Sequence, residues 1–247
     1  MQAREISVLV NEICSSTKHL GTIEEQREYK KEITLLVAKI IRTSNKNFIR
    51  VQRKQVIDAI KLGCLYHKNF YRKDKKTPYI IHPLEVTVEI IDSGFIDFKL
   101  IIAAILHDTI EDIGGRKNKR ELRRIIRKKF GFTIYSIVSF VTKHESSERR
   151  SRYYALMKSI KNPAVKWRAI ILKIYDRIVN AKTFKNLNEE NKKRKIKETF
   201  DEFPSLEKEA RKVLLKSFLD GDIVNSDLLL LPEKAMDRLW KIVDKHT

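Results

Sequence analysis

The segment AAILHDTIEDIGG, residues 103–115, places one histidine and three carboxylates within six residues at the end of an apolar run. These side chains are His107, Asp108, Glu111 and Asp112. Unpaired buried charge is costly, and the carbonyl end of a helix makes additional carboxylates still less favourable. A divalent metal ion compensates for both effects, because it supplies positive charge and accepts imidazole and carboxylate ligands. His107 and Asp108 are therefore candidate metal ligands.

An adjacent histidine and aspartate are a weak signal by themselves. When this His–Asp pair is considered alone, a simpler explanation is a solvent-exposed helix end whose acidic side chains are neutralised by nearby Lys and Arg. Two residues elsewhere strengthen the metal hypothesis: His82 stands just before a predicted helix N-terminus, and Asp176 lies in the late segment LKIYDRIVN. Two His and two Asp would form a mixed nitrogen and oxygen site suited to manganese, iron or cobalt, with room left for water.

Glu111 and Asp112 follow the first two candidate ligands by about one helical turn. Carboxylates at that position can orient or deprotonate a metal-bound water, whose pKa the metal lowers. The predicted chemistry is hydrolysis of a phosphate ester or anhydride.

Long helices must position these side chains. The 247 residues include only 7 Gly and 5 Pro, which leaves few turn signals and favours an all-α fold. The segment DFKLIIAAILHDTIED is apolar almost all round and begins at a plausible cap, Asp97, so it predicts one central buried helix that carries all four side chains on one side. Further helices are predicted after a capping box at Thr22, from Pro83 to Gly94, and from Val165 to Phe184.

The chain is strongly basic, with 52 Lys and Arg against 32 Asp and Glu and a net charge of +20. This charge favours encounters with polyanions, although a solvated lysine-rich surface is the preferred explanation of the charge alone. Residues 116–129 hold nine basic residues and one Glu beside a narrow apolar stripe, which predicts a docked helix with a basic outer face.

Cysteine usage and the N-terminus indicate a cytoplasmic protein. Two cysteines cannot form a disulfide framework, and the first residues lack the continuous apolar core of a signal peptide. The longest apolar run, LIIAAIL, is too short to cross a bilayer, so no membrane association is expected.

The order of the motifs resembles that of the HD-type hydrolases of the RelA/SpoT group, particularly the single-domain small alarmone hydrolases. The matching pieces run from about Ile57 to Phe184: YHKNFYRKDKKTPYIIHPLEV, LIIAAILHDTIED, FG at 130–131, VTK at 141–143 and LKIYDRIVN. We therefore expect an HD-domain helical bundle at residues 51–200. A helical extension at 1–50 would precede it, and one at 201–247 would pack on it.

The resemblance implies a Mn²⁺ ion and a catalytic pair. The implied metal ligands are His82, His107, Asp108 and Asp176, and the implied catalytic pair is Glu111 and Asp112. Members of this group release pyrophosphate from the 3′-diphosphate of guanosine tetra- or pentaphosphate. Arg72 and Lys73 match the basic pair that contacts the nucleotide in the family, and Asn180 matches its nucleoside-contacting Asn.

Four further positions matter to this resemblance. His67 corresponds to a recurring histidine that is not a ligand, and a hydrogen-bonded structural role is expected for it. Tyr79 is expected to pack beneath the pocket. Tyr175 and Val179 depart from the family pattern, because they replace the small residue and the His that commonly flank the last Asp.

The predicted activity is that of a cytoplasmic, Mn²⁺-dependent (p)ppGpp 3′-pyrophosphohydrolase, with Fe, Co or another divalent metal left open. One alternative keeps the site but changes the substrate to ppApp, NADPH or a (d)NTP. Another is a basic RNA-binding module with a vestigial HD site. Nucleic-acid or ribosome binding is open but not expected, and the sequence leaves the oligomeric state undetermined.

Overall fold

The computed structural model describes residues 2–16, 22–68, 70–112, 115–142 and 150–246. The predicted all-α fold is confirmed: within these residues there is no β-strand, and a single bridge pairs Tyr71 with Pro78. Among the helices described, none has the length and apolarity needed to span a membrane. The chain divides into two compact units, Met1–Thr142 and Lys143–Thr247.

The first unit is organised around a short helix whose last seven residues are buried. Its helices are α1 (Gln2–Ser16), α2 (Ile23–Asn47), α3 (Arg50–His67), α4 (Ile81–Asp92), α5 (Phe98–Leu106), α6 (Thr109–Asp112), α7 (Arg116–Phe130) and α8 (Phe132–Val141). Every side chain from Leu100 to Leu106 in α5 is buried, and α3, α4 and α8 pack around it. Gly63 allows α3 to approach closely, because a Cβ there would lie 3.3 Å from the Ile105 carbonyl oxygen.

The predicted caps of this unit are confirmed. The Thr22 backbone N–H donates to Glu25 Oε2 at 2.7 Å, and the Glu25 N–H donates to Thr22 Oγ1 at 3.2 Å, which completes a capping box. Asp97 accepts from the Leu100 N–H at 2.7 Å and so begins α5. Gly94, with φ at +83°, follows the end of α4.

The second unit packs α10 (Pro163–Ala181) against α11 (Glu189–Leu219) and α12 (Leu231–Val243), with α9 (Arg150–Ser159) beside them. The predicted helix after Pro163 ends at Ala181, and Phe184 lies in a 3₁₀ turn beyond it. The 31-residue α11 is absent from our sequence prediction. It buries only a narrow stripe that includes Phe203, Leu206 and Leu214, and it contains a proline.

A buried ionic network connects three helices of this unit. The Arg177 side chain of α10 is 3% exposed, and it pairs with Glu198 of α11 at 2.8 Å. Tyr154 of α9 donates its hydroxyl proton to the same carboxylate at 2.6 Å, and the guanidinium lies 4.9 Å from the Phe203 ring centroid. Each polar side chain of this network therefore has a partner, as the burial of charge requires.

Burial raises the pKa of Tyr154 to about 12, although Lys173 and Arg177 oppose the change. A raised pKa means that the folded protein favours the neutral phenol. The resulting stabilisation is complete below the ordinary pKa of 10.0 and is lost as pH rises towards about 12.

We predict that Tyr154→Phe reduces the alkaline loss of stability. As pH rises between these two values, the free energy of unfolding of the unmodified protein should fall by about 2 kcal/mol more than that of the variant. Urea denaturation at a series of pH values measures the difference. Parallel pH profiles for the two proteins would contradict the role assigned to this phenol.

Candidate metal centre

His82 lies within the first turn of α4, which begins at Ile81, and not just before the helix as predicted. Pro83 follows it without loss of a hydrogen bond, because the N–H groups of a first turn have no partner within the helix. The His82 side chain is 2% exposed. The helix start therefore holds the imidazole against the interior of the unit.

The prediction of one continuous helix from Asp97 to Asp112 is wrong. Helix α5 ends at Leu106, and α6 begins at Thr109. His107 Nδ1 donates to the Ala104 carbonyl at 2.8 Å, and Thr109 Oγ1 donates to the Leu106 carbonyl at 2.7 Å. Such side-chain bonds compete with the backbone bonds that would continue the helix. The four side chains therefore do not project from a single helix.

Three predicted ligands meet at this break. Asp108 Oδ1 lies 3.2 Å from His107 Nε2, and Asp108 Oδ2 lies 3.6 Å from His82 Nε2. The three residues offer ligand atoms that all lie within 4.8 Å of one another. His107 is 3% exposed and Asp108 is 15% exposed, so the donors converge in a largely buried place.

This donor set fits a divalent metal ion. The Nδ1 proton of His107 is engaged by a carbonyl, so in the neutral ring Nε2 carries a lone pair and faces a carboxylate oxygen. Electron-rich atoms this close are stabilised by a cation between them. A backbone carbonyl on the remote nitrogen is also the usual way in which proteins orient a metal-binding histidine.

Tyr79 orients the shared carboxylate. Its hydroxyl donates to Asp108 Oδ2 at 2.8 Å, and its ring stacks on the buried His67 ring at a centroid distance of 5.1 Å. The sequence prediction gave Tyr79 a packing role and did not identify this hydrogen bond. His67 is buried, and the hydrogen-bonded structural role expected for it stays a prediction.

The loop that precedes α4 carries Arg72 and Lys73, and internal hydrogen bonds stabilise it. The Arg72 N–H donates to the Thr77 carbonyl at 2.8 Å, and the Asp74 carboxylate accepts from the N–H of Lys76, the N–H of Thr77 and the Thr77 hydroxyl. Burial raises the pKa of Asp74, but the Thr77 and Lys76 hydrogen bonds outweigh it and hold the pKa below its usual value. Arg72 is half-buried and Lys73 is exposed, and their contact with a nucleotide stays a prediction.

Asp176 belongs to the second unit, on α10, where its side chain is 10% exposed. Lys173 Nζ lies 2.6 Å from Asp176 Oδ2, and Asn180 Nδ2 donates to Asp176 Oδ1 at 2.6 Å. The nearby departures from the family pattern, Tyr175 and Val179, are both buried. Metal binding by Asp176 and nucleoside binding by Asn180 stay predictions.

The predicted catalytic pair lies on α6. Glu111 is half-buried, whereas the side chain of Asp112 lies outside the described residues. The catalytic roles of both carboxylates stay predictions from the sequence.

A model of the HD domain family matches residues 59–209 of the chain. Among curated proteins, guanosine-3′,5′-bis(diphosphate) 3′-pyrophosphohydrolase of Aquifex aeolicus is 34% identical over 134 residues, which cover 52% of this chain and 18% of that protein. The corresponding enzyme MESH1 of Xenopus tropicalis is 31% identical over 137 residues, which cover 55% of this chain and 72% of that protein.

GTP pyrophosphokinase of Streptomyces coelicolor is 28% identical over 174 residues, which cover 68% of this chain and 19% of that protein. The chain thus spans only about a fifth of the length of the Aquifex and Streptomyces proteins. A solved structure of a metazoan SpoT orthologue that hydrolyses ppGpp aligns with a TM-score of 0.52 at 19% identity, covering 74% of this chain and 94% of that one. This structural likeness supports the fold.

We predict that Tyr79→Phe lowers the affinity for Mn²⁺ about 10-fold, because loss of a hydrogen bond to a ligand typically costs this much. Tyr71→Phe is the matched control, since the buried Tyr71 hydroxyl lies on the same loop and has no hydrogen-bond partner in the described part of the chain. Isothermal titration calorimetry measures both affinities. Equal affinities for the two variants would show that Tyr79 does not orient Asp108.

Proposed function

The chain belongs to the HD domain family, and we propose that it is a metal-dependent hydrolase that releases pyrophosphate from the 3′-diphosphate of ppGpp or pppGpp. The observation that carries this proposal is the convergence of His82, His107 and Asp108 on one largely buried point. The Aquifex and Xenopus relatives, whose names state this activity, support the choice of substrate.

We propose Mn²⁺ as the metal, with His82, His107 and Asp108 as ligands and Asp176 as a fourth ligand carried over from the family resemblance. Iron or cobalt also suits imidazole and carboxylate donors. When bound, such a cation supplies the positive charge that lowers the pKa of a water and offsets charge on a phosphate oxygen. The hydrogen bonds to Ala104 and Tyr79 would keep His107 and Asp108 in orientation.

The chain's own carboxylates would then move the proton. Glu111 would accept a proton from the attacking water at a carboxylate oxygen, and Asp112 would orient that water. The water oxygen bonds to the phosphorus attached to the ribose 3′-oxygen, and the bond from that phosphorus to the 3′-oxygen breaks. A proton ends on the 3′-oxygen, so the products are GDP or GTP and pyrophosphate.

The substrate contacts are also proposals. Arg72 and Lys73 would hold the phosphates, since Arg can clamp phosphate oxygens and stack on a purine. Asn180 would bond the nucleoside through its Oδ1 or its second Nδ2 proton, because one Nδ2 proton already donates to Asp176. The buried Tyr175 and Val179 depart from the family pattern, which favours testing ppApp, NADPH and (d)NTPs as alternative substrates.

We further propose that residues 51–200 form the hydrolase domain, with helical extensions at 1–50 and 201–247, and that the protein acts in the cytoplasm. The family model covers most of the central range. The reducing environment suits Cys14 and Cys64, which form no disulfide bond in the described residues.

Purified Mn²⁺-loaded protein should release pyrophosphate from ppGpp faster than from ppApp, NADPH or dNTPs. Glu111→Gln should lower kcat by about 100-fold or more while Mn²⁺ binding is kept, since a positioned general base contributes at least this much. Glu121→Gln, an exposed carboxylate on α7, is the matched control and should leave turnover unchanged.

Asp108→Ala should lose both turnover and high-affinity Mn²⁺ binding. Chromatographic separation of the nucleotide products and a pyrophosphate assay measure the outcome. Release of single phosphates, or preference for another nucleotide, would overturn the substrate. Normal turnover by Asp108→Ala would overturn the site.

A further inference from the structure

The exposed side of α7 is a continuous basic stripe. Six of its cations fall within an arc of about 140° and span about 17 Å along the axis, at 1.5 Å rise and 3.6 residues per turn. They are Lys117, Arg120, Arg123, Arg124, Arg127 and Lys128. This corresponds to one cation per about 3 Å, close to the one phosphate per about 3.4 Å along each strand of a nucleic-acid duplex.

No acidic side chain within the described ranges neutralises this stripe. In the part of the chain that the structure describes, none of the six cations forms an ion pair with Asp or Glu, although such pairs occur on other helices, as between Lys197 and Asp201. The exposed Glu121 is the only acidic residue of α7. A surface of uncompensated like charges is repulsive by itself and attracts a polyanion.

The opposite side of α7 is already used for packing. Leu122 and Ile126 are fully buried, Phe130 is nearly so, and Gln55 Nε2 of α3 donates to the Lys129 carbonyl at 3.1 Å. Helices that enter a lipid surface do so through a free apolar face. Because this face is buried in the unit, the stripe favours a nucleic acid over a membrane.

An aromatic side chain lies at the end of the stripe. Phe132, just after α7, is 59% exposed, and the Arg127 guanidinium lies 5.5 Å from its ring centroid. Tyr135 adds a second ring at a centroid distance of 6.3 Å. An exposed ring beside cations is a platform on which an unpaired base can stack.

We propose that α7 and Phe132 form a docking surface for RNA, in which the basic stripe follows the phosphates and Phe132 stacks on an unpaired base. The surface is a second binding site, distinct in chemistry from the metal centre. This surface also changes the explanation of the net charge of +20. Part of that charge is concentrated on one helix and is not spread over a solvated surface.

The test uses the full chain and a fluorescently labelled RNA hairpin with a single-stranded 3′ overhang. Arg120→Glu/Arg124→Glu/Lys128→Glu reverses three exposed cations at spacings of four residues. Lys208→Glu/Lys212→Glu/Lys216→Glu on α11 is the matched control, because these lysines are exposed, equally spaced and without ion pairs in the described residues. Both triple variants lower the formal net charge equally.

Fluorescence anisotropy should show about 100-fold weaker RNA binding for the α7 triple variant and less than about 3-fold for the α11 control. Affinity of the unmodified protein should fall about 1,000-fold between about 50 and 200 mM salt. Phe132→Ala should lower the affinity for the hairpin with the overhang about 10-fold and leave the affinity for a blunt RNA duplex, which has no unpaired base, unchanged. Circular dichroism confirms that each variant is folded.

Equal losses in the two triple variants would overturn the proposal, because net charge alone would then explain binding. Binding of the unmodified protein to vesicles rich in anionic lipid, without RNA binding, would also overturn it. A lower kcat/KM for ppGpp in the α7 variant with RNA affinity unchanged would reassign the stripe to substrate attraction and contradict an RNA surface.

Discussion

The hydrogen bond from His107 Nδ1 to the Ala104 carbonyl is the interaction on which the candidate metal centre depends. It occupies a backbone acceptor that a continuing α-helix would use, and it fixes which nitrogen of His107 is protonated. The bond therefore helps to end the helix, together with the Thr109 side-chain bond, and it also leaves Nε2 facing Asp108. Asp108, located at the break, lies between two imidazoles because the chain turns there.

The surrounding elements make this arrangement rigid. Every side chain of α5 from Leu100 to Leu106 is buried, so close packing restrains Ala104 and the start of the break. On the other side of Asp108, Tyr79 is fixed by its stack on His67 and holds one carboxylate oxygen. A metal site needs donors held in place before the ion binds, and here packing and hydrogen bonds supply that preorganisation.

Much of the fold could be predicted from local signals in the sequence. The cap at Asp97, the capping box at Thr22 and the apolar run of α5 each depend on neighbouring residues, and all three are present. The break after Leu106 could not be predicted from periodicity, because His107 and Thr109 end the helix through side-chain bonds that leave the hydrophobic pattern unchanged. The three candidate ligands of the first unit were identifiable from residue type and family resemblance.

The sequence pattern could not predict contacts between segments that are far apart along the chain. The Tyr79 hydroxyl reaches Asp108 across 29 positions, and Arg177 pairs with Glu198 on a helix that the prediction omitted. Helix α11 was not predicted because its apolar stripe is narrow and a proline interrupts its hydrophobic pattern. Tertiary packing keeps the helix continuous. The basic stripe of α7 was visible in the sequence, but only the structure shows that, among the described residues, its six cations form no ion pair with Asp or Glu.

The most direct test of the central claim is anomalous X-ray diffraction, at the manganese absorption edge, from crystals of the protein grown with Mn²⁺. We expect one strong anomalous peak in contact with Nε2 of His82, Nε2 of His107 and a carboxylate oxygen of Asp108. An anomalous map without a peak at these three atoms, or with its strongest peak on other residues, would contradict it.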